Sequence, residues 1–541
     1  MPGRAAAGRS PTCRLDCAVL RQPTHATHPI SLPRRRGRAA FLLVWVAAFV
    51  VLTIAAPALA ADPWAQYQGD AAHAGLAVAA PAPPYSQAWT FPVAPEHNIG
   101  VSAPIVAGNI VVTVAPSAVY GVDLATGRQR WKIPRSFGPN VPAAVGDAGS
   151  TQVLVYSEGF GDTPLPLVNP SGSASASPSG SPSPGATPTT GPLPANEQPR
   201  LVGVDLTTQK QLWTLDLKEV SRTGVTIEGT TAFVGDNRGN VYAVDIASGE
   251  QRWSAKVPGF LASPLAVSGG TVLAAVQAQG TVQGASTPTH SGVVALDASS
   301  GSQSWTFTPV FPTLRTTALA ISGDTAFIGF DNRVVEAIDI ATGIGTWSHD
   351  ANGLFLFTSS PALSSDGVIM SDSTGHVIKL AAADGSREWD FALNTDVLRS
   401  APVLARRTVL VSTATGRLSA IDAVSGRLVF QSGDLGGSLG SMAVTVDLVV
   451  AVRGGAQGGL IAFRHDDTGH LMSVASPTTL NPGKLIVGYV VAAVAMLVAL
   501  LLAIRPLAER MGPPEFESRD EDEDNDAGDE DDEGDEDDED A

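Results

Sequence analysis

The amino-acid sequence predicts an all-β fold, an eight-bladed β-propeller of four-stranded antiparallel sheets, followed by one C-terminal transmembrane helix. A phrase ending in tryptophan recurs about every 42 residues, and two apolar segments frame these repeats. The 541 residues also include 55 glycines and 39 prolines but only 16% charged residues. Such a composition favours short strands and tight turns over amphipathic helices.

The chain begins with a basic leader. Residues 1–60 contain eight arginines and one acidic residue, and their apolar run 41–60 ends in Ala58-Leu59-Ala60. A basic stretch, an apolar core and a small-x-small end are typical of a secretory signal peptide. We therefore expect residues 1–60 to be a signal peptide, or an N-terminal anchor if they are not removed, and residues 61–466 to be exported.

A second apolar segment, residues 485–504, has 20 residues without a charge. That length is enough to cross a bilayer core of about 30 Å. Arg505 and Arg510 follow it and only Lys484 directly precedes it, so the positive-inside rule places the C-terminus in the cytoplasm. We expect a single-pass plasma-membrane protein with the propeller outside, a juxtamembrane linker at 467–484 and a disordered acidic cytoplasmic tail at 505–541.

Charge and cysteine content exclude two classes of function. Of the formal net charge of −19, the last 27 residues carry −18 and the first 60 carry +7, which leaves −8 for the middle. Nucleic-acid binding needs a basic face, so we predict no nucleic-acid partner. Both cysteines, Cys13 and Cys17, lie in the leader, so residues 61–541 can form neither a disulfide nor a Cys-ligated zinc site.

The repeated phrase reads Val-Asp-Leu-Ala-Thr-Gly-Arg-Gln-Arg-Trp at residues 122–131. Its Asp can accept hydrogen bonds from turn amides, and the Gly four residues later can adopt a positive φ. The tryptophan then lies on the outermost strand, where it can bury against a neighbouring blade. The predicted docking residues are Asp123, Asp205, Asp245, Asp297, Asp339 and Asp422, with Trp89, Trp131, Trp213, Trp253, Trp305, Trp347 and Trp389.

The number of copies predicts the number of blades. Seven phrases are complete, and the last of them ends in Phe430 instead of tryptophan. Trp89 lies 42 residues before Trp131 without an Asp-Gly phrase of its own, whereas a final copy near Phe463 lacks a closing tryptophan. Joining the N-terminal strand to the last copy completes an eighth blade and closes the ring.

These motifs resemble those of the PQQ-like (quinoprotein-like, BamB-like) β-propeller repeat family. The recurring phrase is similar to that family's tryptophan-docking repeat, and the segment from Trp64 to Asp70, Trp-Ala-Gln-Tyr-Gln-Gly-Asp, is similar to the start of its domains. The resemblance covers about residues 62–466. Departures from the pattern, where looser blades are expected, are Gln209, Ala381, Phe430 and Arg464.

The resemblance implies two classes of function. Quinoprotein dehydrogenases of this family hold pyrroloquinoline quinone (PQQ) over the propeller axis with Ca²⁺, an Asp base and usually an adjacent-cysteine disulfide. The cysteines are missing here and the repeats are short, so we predict no catalytic residue, no cofactor and no metal site. A PQQ- and Ca²⁺-dependent alcohol or sugar dehydrogenase is the alternative.

The loops between blades predict a binding surface. Residues 160–199 are rich in Ser, Pro, Gly and Thr, are expected to be disordered, and interrupt the second repeat on the face that carries these loops. Aromatic residues and arginine are enriched at interface hot spots. We therefore predict a monomeric, non-catalytic scaffold that binds an extracytoplasmic protein or a cell-envelope ligand, although several of the phenylalanines could instead fill the ring centre. The candidate rim residues are Phe260, Phe311, Arg315, Phe355, Phe357 and Arg399.

Overall fold

Thirty-four β-strands make up the regular structure of the described part of this protein. The structure, a computed structural model, describes residues 64–96, 99–160, 197–278, 290–311, 313–351, 359–393 and 400–468. Strands are favoured throughout because most segments alternate buried and exposed side chains or are continuously apolar and buried on both faces.

The strands form eight sheets, the blades, which are numbered here along the chain. Blade 1 contains β3 (Ile105–Ala107), β4 (Ile110–Ala115), β5 (Ala118–Asp123) and β6 (Gln129–Pro134), and blade 2 contains β7 (Ala144–Ala148), β8 (Thr151–Glu158), β9 (Arg200–Asp205) and β10 (Gln211–Asp216). Blade 3 contains β11 (Val225–Glu228), β12 (Thr231–Gly235), β13 (Asn240–Asp245) and β14 (Gln251–Lys256). Blade 4 contains β15 (Phe260–Leu261), β16 (Ala266–Ser268), β17 (Thr271–Gln277), β18 (Gly292–Asp297) and β19 (Gln303–Phe307).

The second half of the ring repeats this arrangement. Blade 5 contains β20 (Ala320–Ser322), β21 (Thr325–Gly329), β22 (Val334–Asp339) and β23 (Gly345–Asp350), and blade 6 contains β24 (Ala362–Leu363), β25 (Gly367–Ser371), β26 (His376–Ala381) and β27 (Arg387–Ala392). Blade 7 contains β28 (Val403–Ala405), β29 (Thr408–Ser412), β30 (Leu418–Asp422) and β31 (Leu428–Gln431). Blade 8 contains β32 (Leu439–Val444), β33 (Val449–Arg453) and β34 (Gly459–His465), and β1 (Leu76–Ala77) and β2 (Tyr85–Pro92) precede them all in the chain.

The predicted eight-bladed antiparallel propeller is confirmed. The main strands of each blade follow one another from the axis outward and pair antiparallel, with β15 and β16 of blade 4 both pairing with β17. The short β1 adds to blade 7 in parallel, next to β28. The outer strand of blade 8 is β2, which pairs with β34 from Tyr85 opposite His465 to Pro92 opposite Gly459. The ring is therefore closed by the two ends of the propeller chain, which removes a sheet edge that would otherwise be exposed.

Tryptophans of the outer strands join neighbouring blades. The ring of Trp89 lies over Gly127 of blade 1, where an added Cβ would come within 2.6 Å of the indole. Its Nε1 donates a hydrogen bond to the main-chain oxygen of Leu124 at 2.8 Å. Glycine is needed at that position because its φ is +70° and because no side chain fits beneath the ring. The same pairing joins Trp213 to Gly249, Trp253 to Gly301, Trp305 to Gly343, Trp347 to Gly385 and Trp389 to Gly426.

The aspartate that lies four residues before each of these glycines, except Gly385, stabilises the turn. Asp123 accepts hydrogen bonds from the amide and the hydroxyl of Thr126 at 2.9 and 2.6 Å and from Arg130 at 2.6 Å. These hydrogen bonds, that of the Thr126 hydroxyl first, lower the pKa of Asp123 to about 2. Hydrogen bonds from turn residues likewise lower the pKa of Asp205, Asp297 and Asp339, and of Asp422 against the opposing effect of its burial. The pKa of Asp245 is lowered first by the hydrogen bond from Arg252 and then by those of Ser248 and Ala247.

The departures from the repeat keep the same main-chain turn. Gln209 takes the glycine position with φ +57°, and its side-chain amide donates to the oxygens of Leu206 and Thr207. Ala381 replaces the aspartate, yet the amide of Gly385 still donates to its main-chain oxygen at 2.9 Å. Phe430 packs edge-on against Tyr85 at 5.3 Å between ring centroids.

The segment 64–75 runs around the axis against the inner strands. The side-chain amide of Gln66 bonds both main-chain groups of Ile227 in blade 3, at 3.0 and 2.8 Å. Six further blades donate main-chain N–H groups to this segment at 2.7–2.9 Å. The donors are Val106, Val145, Val267, Ile321, Leu363 and Leu404, and the acceptors are the oxygens of Trp64, Ala65, Ala71, Ala72, Ala74 and Gly75. The inner edges of seven blades are therefore paired by one stretch of chain.

Both predicted membrane segments and the acidic tail lie outside the described residues. So do the linker beyond Thr468, the leader and nearly all of the 160–199 insertion. In the part of the chain that the structure describes, no helix has the length and hydropathy needed to span a bilayer.

Candidate functional site

The ring has two faces, which we name by their connections. The loop rim carries the connections between blades and the loops between the second and third strands of each blade. The turn face, on the opposite side, carries the Asp-Gly turns and the turns between the first and second strands. In a four-stranded meander successive turns alternate between the two faces, so the loops predicted to bind a partner share the loop rim.

The candidate rim residues fall into three environments. Phe311 and Arg315 are exposed on the connection between blades 4 and 5. Phe260 is 4% exposed and belongs to β15, which pairs with Val276 and Gln277 of β17, so its ring lies in the core. Phe355, Phe357 and Arg399 lie outside the described residues.

The connection between blades 4 and 5 presents an exposed apolar cluster. Val310, Phe311 and Leu314 are 88%, 66% and 49% exposed, and Arg315 beside them is exposed as well. We call these four residues the rim knob. In the described residues no salt bridge involves Arg315. Of these side chains, phenylalanine and arginine are of the types enriched at protein interfaces.

The base of the rim knob is firmly held. Thr313 is 2% exposed, its hydroxyl bonds that of Ser291, and its oxygen accepts from the Ser291 amide at 2.9 Å. The amide of Leu314 donates to the Asp331 carboxylate at 3.1 Å, and the Leu314 oxygen accepts from Ala278 at 3.1 Å. The knob is therefore presented by a connection anchored to blades 4 and 5, which lowers the entropy cost of binding.

Sequence reasoning missed two of the four knob residues. Val310 and Leu314 are aliphatic, whereas the rim was sought among aromatic residues and arginine. One signal in the sequence could have indicated that both residues are exposed. They lie in a Pro- and Thr-rich stretch, Thr-Pro-Val-Phe-Pro-Thr-Leu-Arg, whose apolar residues do not alternate as in a strand.

A second cluster on the loop rim is charged and was also missed. Glu158, 6% exposed, accepts from Arg200 at 2.6 Å and from the Ser136 amide at 3.0 Å. Arg135 is 7% exposed, and burial lowers its pKa to about 10. Next to it the rings of Phe137 and Phe160 pack at 5.6 Å. These groups hydrogen bond one another across the connection between blades 1 and 2 and fix its conformation.

Buried polar atoms without a hydrogen-bond partner are concentrated on the loop rim. Leaving such an atom unpaired costs about 1–3 kcal/mol, so each requires water or a bound group. One atom, Nδ1 of His73, lies on the axial segment. The others belong to Arg135, Ser157, Ser221, Arg222, Asn237, Ser263, His290, Thr316 and Arg417. The loop rim therefore retains unused hydrogen-bonding capacity.

A polar cleft lies beside the outer strand of blade 5. It is lined by His349 and by His376, Arg387 and Asp390 of blade 6. His376 Nδ1 is 2.9 Å from Asp390 Oδ1, and Arg387 is 3.4 Å from the other oxygen of that carboxylate. Burial lowers the pKa of His349. The described residues contain no group of three or more His, Cys, Asp or Glu placed to hold a metal ion, here or elsewhere.

The described residues offer no carboxylate-rich site for the Ca²⁺ that the dehydrogenase alternative requires. Calcium takes six to eight oxygen ligands, several of them carboxylates, and no such carboxylate group is found among residues with a described structure. The segment 64–75 lies along the inner strands at the axis. No step of a quinone-dependent reaction can therefore be derived from these residues.

Comparison with known proteins relates this propeller to one family. The family described as outer membrane protein assembly factor BamB matches residues 198–349 and 275–470, which together span half of the chain. BamB of Nitrosomonas eutropha is 28% identical over 156 residues, 28% of this chain and 35% of that protein. The chain thus spans about a third of that relative's length. BamB of Burkholderia pseudomallei is 25% identical over 346 residues, 61% of this chain and 86% of that protein.

Solved structures share the fold at lower sequence identity. The quinohemoprotein alcohol dehydrogenase of Comamonas testosteroni is 13% identical, with a TM-score of 0.54 over 80% of this chain and 85% of that one. At this level of identity the likeness is one of fold, and a propeller fold accommodates many activities.

Proposed function

Because this chain belongs to the family of the outer membrane protein assembly factor BamB, we propose that it is a non-catalytic, extracytoplasmic scaffold that binds a protein partner through the rim knob. It is anchored in the plasma membrane by residues 485–504, with the acidic tail in the cytoplasm. The domain limits and the single-pass topology expected from the sequence belong to this proposal.

The observation that carries the proposal is the exposure of Val310, Phe311 and Leu314 on a connection whose base is buried and hydrogen bonded. A soluble domain gains nothing by displaying three large apolar side chains in sequence unless a partner covers them. A partner that complements the knob has an apolar groove for Phe311 and a carboxylate for Arg315. Desolvated anchors of this kind contribute about 2 kcal/mol or more each to binding.

Site-specific crosslinking tests the proposal. A photo-crosslinking amino acid at position 311 of the full chain, activated in intact cells, should give one discrete adduct that Leu314→Asp or Arg315→Glu abolishes. Position 344 on the turn face is the matched control, because Ile344 is also 66% exposed. Equal adduct patterns from positions 311 and 344, or an adduct insensitive to both substitutions, would refute a partner at the rim knob.

The dehydrogenase alternative is tested by reconstitution. The purified full chain in detergent is incubated with PQQ and Ca²⁺ and assayed with an artificial electron acceptor and alcohols or sugars. We expect neither bound-quinone absorbance nor dye reduction, because the described donor groups do not form a calcium site. Stoichiometric PQQ binding with turnover would replace the scaffold proposal by an enzymatic one.

A further inference from the structure

The turn face carries several exposed apolar side chains, four of them on blades 7 and 8 or on the segment that runs against blade 7. Leu76, Val78, Val424 and Val446 are 43%, 78%, 64% and 46% exposed. We call these four residues the turn-face patch. They come from three separate stretches of chain, so the cluster is a product of the fold and no single loop accounts for it.

Main-chain contacts bring these stretches together. Leu76 and Ala77 pair with Leu404 and Ala405, and the Arg406 amide donates to the Ala77 oxygen at 3.0 Å, directly before Val78. The amide of Ala423 donates to the Arg407 oxygen at 2.8 Å, which places Val424 beside the same turn. Ala80 of this segment and Leu448, two residues after Val446, belong to one buried cluster that extends over blades 1, 7 and 8.

The chain also leaves the propeller in this sector of the turn face. His465 pairs with Tyr85, and the Asp466 amide donates to the Pro84 oxygen at 2.9 Å, shortly before the last described residue, Thr468. Sixteen residues separate Thr468 from the apolar run 485–504. Fully extended, they reach about 55 Å, so the tether permits contact with the membrane without imposing an orientation.

Cationic side chains border the patch. Arg406, Arg407 and Arg427 are exposed on the same turns of blade 7, and Arg407 is 4.0 Å from Asp422. Valines and leucine flanked by arginines suit the boundary between lipid headgroups and acyl chains, where apolar side chains enter about 5–10 Å. Asp447 adjoins Val446 and limits the contact to headgroup depth.

We propose that the turn-face patch rests on the bilayer in which the chain is anchored, so that the rim knob on the opposite face points away from the membrane. This inference rests on the proposed membrane anchor. It depends also on the position of the chain exit and on exposed apolar residues, which a soluble surface would not require. The occupant is the lipid surface; a protein covering the patch is an outcome that the test distinguishes.

Lipid-attached quenchers test the contact. The chain has two cysteines, both in the leader, so Cys13→Ser and Cys17→Ser give a background for single fluorescent labels at Val78→Cys or Val446→Cys. Val310→Cys on the loop rim is the control, because it changes a valine that is 88% exposed, somewhat more than the 78% of Val78. The full-length variants are reconstituted into vesicles of equal parts phosphatidylcholine and phosphatidylglycerol, with or without a nitroxide at the headgroup.

The nitroxide should reduce emission at positions 78 and 446 about twofold and leave position 310 unchanged, as expected for insertion at headgroup depth. Arg406→Gln with Arg407→Gln should weaken that quenching. Two results would contradict the membrane contact of the turn-face patch and leave the membrane anchor unaffected. They are quenching at position 310 instead, and no quenching at positions 78 and 446 in vesicles that retain the protein. If the protein does not float with the vesicles, both the anchor and the inference fail. Protection of positions 78 and 446 by a co-purifying protein, without nitroxide quenching, also overturns it.

Discussion

The indole nitrogen of Trp253 donates to the main-chain oxygen of Ala298 at 2.9 Å, and its ring lies over Gly301. This pair joins blade 3 to blade 4 across 48 residues of sequence, and five other blade pairs repeat it. Six of the eight blade interfaces are therefore held by equivalent indole contacts, as in repeat proteins whose stability is a sum over neighbouring interfaces.

Gly301→Ala should destabilise the propeller by about 2–4 kcal/mol, because alanine is strained at φ +72° and its Cβ would lie 2.5 Å from the Trp253 ring. Chemical unfolding of the purified full chain, followed by tryptophan fluorescence, measures the loss. Gly269→Ala is the control, since its φ is +58° but an added Cβ meets nothing within 4 Å. Equal losses in the two variants would show that the indole contact adds no stability.

Gln66→Glu should lower the free energy of unfolding by about 1–3 kcal/mol. The amide nitrogen of Gln66 donates a hydrogen bond to the Ile227 oxygen at 3.0 Å. A carboxylate in its place would face that oxygen and could not donate a hydrogen bond to it. Thermal unfolding of the full chain provides the measurement. Gln87→Glu makes the same change on the exposed side of β2 and should leave stability unchanged. A melting temperature shared by both variants would contradict a structural role for the axial segment.

His73 should make stability depend on pH between about 6.5 and 4. Burial lowers its pKa to about 4, and its Nε2 lies 3.2 Å from the Thr226 hydroxyl. In this interval the unfolded chain binds a proton that the folded chain does not, so stability falls with falling pH, by up to about 3 kcal/mol. Unfolding free energies at several pH values measure the slope, which His73→Gln should flatten. A slope that persists in the variant would assign it to other groups.

Asp123 should contribute to a second loss of stability at lower pH. Its folded pKa is about 2, below the ordinary value of 3.8, so its contribution is complete above about pH 4 and disappears as the pH falls through the folded value. Asp123→Asn keeps an acceptor for the turn but has no titrating proton, so its acid unfolding curve should be shallower. Asp324→Asn removes a carboxylate from an exposed turn of blade 5 and serves as the comparison; equal curves for the two variants would contradict the role of Asp123.

Sequence patterns predicted the fold because its determinants are local and repeated. The spacing of Asp123, Gly127 and Trp131 predicts a turn followed by a tryptophan that packs on a neighbouring blade. The sequence has seven complete phrases of this kind, so the N-terminal strand is left to complete an eighth blade, as β2 does. The same method left open whether Phe260 lies on the rim or is buried, since its burial depends on β15 pairing with β17 across a connection. Nor did it foresee how Gln209 keeps its turn, which depends on side-chain hydrogen bonds to Leu206 and Thr207.

By itself, the amino-acid sequence determined the strand periodicity, the blade number and the docking residues. The reason is that the residues that form the strands and turns of a blade lie within one 42-residue repeat. Only the tertiary structure decided which apolar residues remain exposed. Val310 and Leu314 protrude on one face and Val78 and Val446 on the other because distant strands bring their turns together. Exposure is a property of the packed ring, which no single repeat can specify.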